Sequence, residues 1–426
     1  MQRVYKNVAV WDASRSKAQM CDVLTEGTKI KSILPAGSIT AGCAYEGRGN
    51  MALLPGFVNS HGHASMTLLR GLGEDLPLMS WLKDRIWPAE SKLNAELTYA
   101  GAKQAMMEML STGTTCFADM YFFMDNVAKA ALETGMRCGL SRGIVDDKDG
   151  SRLAENIRLA EDFNGAKGLI NVQLGPHAPY TLTFDAMQKI ASAAIDKQLA
   201  VQLHWLETSS EWIMSGMAGK MTPEQYLEKT GMTSVPHLLL AHGVWVSENS
   251  MDFYNKDNIT VSHNPKSNLK LGSGIAPLAE YLKHGVSVAI GTDGGSSNNR
   301  LDMWEELRFA ALTQKGINHD PTLIKAEEAL KMATLNGARA LGFKETGLIK
   351  EGYNADMMLI DLDQPQYIGW NLDNLPGYIV YAGSSADVRT TVVNGEILYD
   401  GGEFKTLDKK TVMHDAAEAR KKLIGK

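Results

Sequence analysis

Histidines and carboxylates are the residues here whose spacing points to chemistry. His61 and His63 stand one residue apart at the end of the run Leu54-Pro-Gly-Phe-Val-Asn-Ser60. In extended backbone, side chains at i and i+2 leave on the same side, so two imidazoles aim at one point, and Gly62 offers nothing to crowd them. By itself such a pair fits two surface histidines equally well. Further along, His177 follows Gly175-Pro176, His204 closes Ala200-Val-Gln-Leu and His242 closes Leu238-Leu-Leu-Ala. His263 closes Ile259-Thr-Val-Ser, and Asp293 follows Val286–Ile290. Six of the ten histidines thus end strand-like runs, which surface scatter does not explain. Three imidazoles and a carboxylate form a shell for Zn²⁺ or Fe²⁺ with a position left for water. An ion there lowers the pKa of its water from about 16 toward about 7. Glu207, three residues past His204, brings a proton-carrying carboxylate nearby without having to bind the ion.

The elements that must position these groups alternate between apolar strand-like runs and helical periods. Strands are expected ending at His63, then over 114–118, 137–141, 169–174, 200–204, 238–242, 259–263 and 286–290. Helices are expected over 93–110, 126–133, 152–163, 184–196, 224–229, 277–284 and 303–313. Eight strands with helices in most intervals over roughly 250 residues predict an α/β chain closed as a (β/α)₈ TIM barrel, whose sites lie at the carboxyl ends of the strands. A doubly wound open sheet is the alternative, but its first strand would more often lead into a glycine-rich phosphate loop. Short strands before residue 52 (8–11, 21–24, 29–34) and after residue 345 (357–361, 388–394, with 380–382 as a further candidate) are too small to stand alone. They are expected to pair into a small β-sandwich domain. The organisation is then 1–52 and 346–426 for the sandwich, the latter with a terminal helix over 409–424, and 53–345 for the barrel.

The chain has 426 residues, 44% hydrophobic and 22% charged, and a net charge of −6, which gives no electrostatic footprint for nucleic acid or an anionic membrane. No run of about 18 apolar residues suggests a span. Cys21, Cys43, Cys116 and Cys138 lack C-x-x-C spacing, so a reduced, cytoplasmic protein is expected and a thiolate zinc site is not. A small-molecule substrate and a homo-oligomer are the expected partners.

Pro55-Gly-Phe-Val-Asn-Ser-His-Gly-His63, His204-Trp-Leu-Glu207, Ala241-His242-Gly243, Ser262-His-Asn-Pro-Lys-Ser-Asn268 and Gly291-Thr-Asp-Gly294 resemble the amidohydrolase superfamily, in particular its mononuclear deaminases. The resemblance implies that His61, His63, His204 and Asp293 hold one divalent metal, Zn²⁺ before Fe²⁺ or Mn²⁺. It implies that Glu207 shuttles a proton to a ring nitrogen and that His242 and Asp293 orient the attacking water. The binuclear branch usually has a bridging ligand after strand four; here that place is Gly175-Pro-His-Ala-Pro179.

Leu78-Met-Ser-Trp-Leu82 and Ile86-Trp-Pro-Ala-Glu90 resemble the substrate loop of 5-methylthioadenosine/S-adenosylhomocysteine deaminases. That likeness implies a substrate-binding set in which Glu90 takes the ribose hydroxyls and His177 meets the purine. Arg142 and Arg152 would reach the homocysteine carboxylate, as a guanidinium fork suits one. From its position alone, Arg152 fits a helix-surface residue as well. The expected reaction is hydrolytic deamination of the adenine ring of 5′-substituted adenosines. A deaminase of a free base or heterocycle (guanine, pterin, cytosine or s-triazine) is the alternative, and a free base has no diol for Glu90.

Overall fold

Runs of consecutive apolar residues bury both faces of a strand, as a parallel sheet covered by helices requires. A computed structural model describes the chain over residues 1–40 and 43–425, the side chains of Cys43 and Ala44 excepted. It places eight such strands in one parallel sheet: β1 (Phe57–Asn59), β2 (Thr114–Tyr121), β3 (Arg137–Ile144), β4 (Ile170–Pro176), β5 (Ala200–Trp205), β6 (Leu238–His242), β7 (Ile259–His263) and β8 (Ser287–Ile290). Each pairs with its successor. The last returns to the first through Ser60 N–H to the Ile290 carbonyl (3.0 Å) and Asp293 N–H to the His61 carbonyl (3.0 Å). The ring therefore closes at the residues that carry the site. Gly291 permits this closure, because a Cβ there would sit 2.7 Å from the His61 backbone nitrogen.

The apolar run before His61 is two strands. Met51–Pro55 leaves the barrel and pairs with Gln2–Val10 and with Met357–Asp361, so it joins the two chain ends in one nine-stranded sheet. The break falls at Gly56, where a Cβ would lie 2.0 Å from Thr115 Cγ2 and only glycine fits. Tyr5, Val10, Leu53, Leu359 and Val392 fill the core of that sheet. A buried ion pair ties it to the barrel. Arg137, at the start of β3, donates to Asp356 through Nε (2.6 Å) and Nη2 (3.1 Å), and both side chains are 1% exposed.

Val380–Ala382 is not a strand. Leu375–Tyr381 is a helix, entered after Asn374 with Pro376 in its first turn, and Leu375, Ile379 and Val380 are buried. The aromatic and β-branched run was outweighed by helical spacing of its buried residues. The terminal helix, Lys409–Ile424, packs against Ala95–Ser111 and the 64–69 turn, where Arg420 Nη1 donates to the Leu68 carbonyl (2.7 Å). Cys21, Cys116 and Cys138 are buried free thiols, whereas the Cys43 side chain lies outside the described residues. No helix among the described residues is long and apolar enough to cross a membrane.

Candidate active site

The carboxyl ends of the strands open into a cavity of about 420 Å³ whose wall includes His63, Glu90, His177, His204, Glu207, His242 and Asp293. At its floor the ring nitrogens converge. His63 Nε2 lies 3.2 Å from Asp293 Oδ1 and 3.3 Å from His204 Nε2, and His61 Nε2 lies 3.6 Å from the same carboxylate oxygen. Two overlapping groups, His61–His63–Asp293 and His61–His204–His242, each bring their donor atoms within 4.8 Å of one another.

The outward nitrogens explain why the inward ones are free. His61 Nδ1 meets Gln202 Oε1 (2.7 Å), His63 Nδ1 the Met120 carbonyl (2.7 Å), His204 Nδ1 the His177 carbonyl (2.8 Å) and His242 Nδ1 Asn268 Oδ1 (2.8 Å). An imidazole that donates from Nδ1 presents a lone pair at Nε2, the usual support of a metal-bound histidine. His61 Nε2 is buried without a hydrogen-bond partner. Ser267 Oγ (2.6 Å) and Ser297 Oγ (2.9 Å) both donate to Asp293 Oδ2, which turns Oδ1 toward the imidazoles. An orphaned buried nitrogen, three or four convergent imidazoles and an oriented carboxylate together fit a divalent cation.

Three site residues also carry backbone strain. His242 (φ +77°) and Asp293 (φ +61°) occupy the left-handed region, and Leu206, next to Glu207, does so too (φ +48°). Each costs about 1–2 kcal/mol relative to ordinary backbone, a cost seen where side chains must be aimed.

Glu207 is buried 3.9 Å from His242 Nε2, and Ser273 Oγ donates to its Oε1 (3.2 Å). Burial, helped by the Asp293 charge, pushes its carboxyl up to about 8. Its backbone is clamped by Glu211, whose two carboxylate oxygens accept from Leu206 N–H (2.8 Å) and Glu207 N–H (2.7 Å). Burial also raises Glu211, to about 8, although those two N–H groups favour its ionised form. Glu90 faces the cavity from a helix that follows the π-helical turn Leu82–Ile86, and Tyr121 Oη donates to its Oε1 at 2.6 Å. Burial raises Glu90 to about 7, against the pull of Tyr121 and of His63. His177 lies beside His204 (ring centroids 4.6 Å apart, planes tilted by 43°), and burial drops its pKa to about 3, so it is a neutral ring. His263 is buried below the floor, away from the cavity wall, with its Nδ1 unpartnered.

Residues 52–398 match the Amidohydrolase family. The chain belongs to that family. Among its relatives, a 5-methylthioadenosine/S-adenosylhomocysteine deaminase from Dictyoglomus thermophilum is 43% identical over 88% of this chain and 88% of its own. A 5′-deoxyadenosine deaminase from Methanothermobacter thermautotrophicus is 42% identical over 95% of each. A solved adenosine deaminase from Xanthomonas campestris with bound zinc superposes with a TM-score of 0.94 and 30% identity, over 100% of this chain and 99% of that one.

Amidohydrolases typically depend on a metal, and the donor set of this one fits such an ion. His61, His63, His204, His242 and Asp293 converge at the floor, and Glu207, Glu90 and His177 line the cavity wall. The structure does not bring Arg142 or Arg152 to that wall. Arg142 Nε donates to Glu155 Oε2 (2.8 Å), and Arg152 Nη1 donates to the Asp146 carbonyl (3.0 Å). Sequence reasoning missed Gln202, Asn268, Ser267, Ser297, Tyr121 and Glu211. Gln202 was within reach of it, since it sits two residues before His204 on the same strand and so faces the same side. Ser267 and Asn268 lie within Ser262–Asn268, where spacing alone gives neither a role, and Glu211 has no signal in its spacing.

Proposed function

We propose that this amidohydrolase deaminates the adenine ring of 5′-substituted adenosines by hydrolysis, using one divalent ion, Zn²⁺ before Fe²⁺ or Mn²⁺, held by His61, His63, His204 and Asp293. The observation that carries the reading is the placement of two carboxyls on one cavity: buried Glu207 beside the convergent imidazoles and half-buried Glu90 on the wall. A divalent ion bound at that floor supplies an acidified water and polarises it.

The chain's own residues account for the rest. Water gives its oxygen to C6 and the C6–N bond breaks, so two protons must be placed. One goes to N1 and the other leaves with the amino group as ammonia. Glu207, with a carboxyl raised to about 8, is protonated near neutral pH, delivers its proton to N1 and takes back the second proton of the water as the C6 oxygen becomes a carbonyl. Asp293 Oδ1, fixed by Ser267 and Ser297, accepts a proton from the attacking water and returns it to the departing nitrogen. His242, its Nδ1 tied to Asn268, points Nε2 at the same water. Neutral His177 packs against the purine, and Glu90 accepts the two ribose hydroxyls. A carboxylate has about four acceptor sites, so it takes both hydroxyls while Tyr121 occupies one.

The test is a panel of adenosine, 5′-deoxyadenosine, 5′-methylthioadenosine, guanine and cytosine with metal-replete enzyme, followed by ammonia release. The reading expects turnover of the nucleosides and little of the free bases. Preference for guanine or cytosine would overturn it.

A further inference from the structure

We propose, resting on the roles given to Asp293 above, that Glu306 is a positioning residue of this site: its one carboxylate ties together the two segments that hold Asp293 and so aims Asp293 Oδ1. Glu306 stands in the first turn of the helix Met303–Ile317, away from the cavity wall, and is fully buried. Burying an ionisable group is costly unless its hydrogen bonds offset the loss of water. The bonds that Glu306 makes therefore show what it is kept for.

Both of its oxygens accept from donors one residue away from a serine on Asp293. Oε2 accepts from the Lys266 N–H (3.2 Å), and Lys266 precedes Ser267. Oε1 accepts from Asn298 Nδ2 (2.6 Å), and Asn298 follows Ser297. Ser267 and Ser297 are the two hydroxyls that donate to Asp293 Oδ2. Asn298 Nδ2 gives its other hydrogen to the Thr292 carbonyl (2.6 Å). That carbonyl belongs to the peptide on which the Asp293 φ of +61° turns, so the strained backbone is held from the same point. Asn268, the partner of His242 Nδ1, rides on the same short helix as Lys266.

Glu306 serves as a fixed point because its own helix is anchored. Asp302 caps that helix by accepting from the Trp304 N–H (3.0 Å), Trp304 Nε1 donates to the Thr112 carbonyl (3.0 Å), and Leu307, Ala310 and Ala311 are buried. The Lys266 ammonium adds a second tie to this helix through Glu305. Burial pushes the Glu306 carboxyl up to about 8, while Asn298, the Lys266 N–H and the Lys266 ammonium pull it toward the ionised form. Each oxygen faces a donor, so the carboxylate is the form that satisfies both neighbours. A glutamine of the same shape presents one acceptor and one donor to two donors, and one tie must break.

The experiment is a double-variant cycle read by Zn²⁺ affinity, in competition with a chelator, and by kcat and KM for 5′-methylthioadenosine. Glu306→Gln should weaken Zn²⁺ binding about 10–100-fold and lower kcat, with KM changed less than about twofold, because Glu306 does not line the cavity. Asp293→Ala removes the group being held, so adding Glu306→Gln to it should weaken Zn²⁺ no further. A merely structural role would weaken Zn²⁺ by the same factor in both backgrounds. That result, or wild-type Zn²⁺ affinity in Glu306→Gln, overturns the proposal. Glu306→Asp keeps the charge and draws it back by one methylene. It should show the same pattern, and it takes the place of Glu306→Gln if that variant does not fold. No turnover of any nucleoside by the wild type overturns the deaminase reading and leaves the Zn²⁺ cycle to decide on Glu306.

Discussion

Replacing Glu90 by alanine removes the group assigned to the ribose diol, and the structure sets the size of the effect. Its carboxylate lies on the cavity wall with one acceptor site taken by Tyr121 Oη at 2.6 Å. Two further hydroxyls fit its remaining sites. Hydrogen bonds to a charged acceptor contribute about 1.5–3 kcal/mol each, so two give about 3–6 kcal/mol before the hydroxyls return to water in the variant. A net loss of about 2–4 kcal/mol corresponds to roughly 30–1000-fold in kcat/KM. The discriminating assay uses 5′-methylthioadenosine and its 2′,3′-dideoxy analogue, followed by loss of adenine absorbance. The dideoxy substrate should be slow with wild type and nearly indifferent to Glu90→Ala. The pH dependence adds a second reading. The Glu90 carboxyl is raised to about 7, so the ionised form that accepts the diol builds up as pH rises through 7. Glu207, raised to about 8, loses the proton it must donate as pH rises further. The wild type should therefore show a bell with limbs near 7 and 8, and Glu90→Ala should lose the acidic limb alone. If Glu90→Ala slowed both substrates equally and kept both limbs, the diol assignment would be refuted.

Glu207→Gln should retain metal, measured by elemental analysis, while kcat falls by about 10²–10⁴-fold; a near wild-type rate would remove Glu207 as the proton donor. Gln202→Leu deletes the partner of His61 Nδ1 (2.7 Å) and should weaken metal affinity about 10–100-fold in a competition titration against a chelator. Arg137→Met leaves Asp356 as a buried unpaired carboxylate and should cost about 3–5 kcal/mol in denaturant unfolding, whereas Arg137→Met/Asp356→Leu should recover much of that. The sign of the double variant is informative, since a double variant no better than the single would mean the pair is not coupled.

The sequence by itself determined the barrel and which histidines and aspartate gather at one end of it. His61, His63, His204, His242 and Asp293 each end or closely follow a continuous apolar run, and such runs, when helices alternate with them, form a parallel sheet, closed or open, whose site lies at the carboxyl ends of its strands. Residues far apart in the chain thus met at a predictable place. The strand reading of Val380–Ala382 failed because a short aromatic and β-branched run carries no period of its own, and burial of Leu375, Ile379 and Val380 against the barrel decided for a helix.

Tertiary structure alone decided what each polar group faces. Gln202, Asn268 and the two serines behind Asp293 act through lone pairs and N–H directions that are set when the ring closes between Ser60 and Ile290. Arg142 has the residue type for a carboxylate. Whether it serves a substrate or Glu155, thirteen positions on, depends on which carboxylate the β3 end and the following helix put within 2.8 Å. A charge satisfies its nearest partner, and distance in space is what the linear chain does not display.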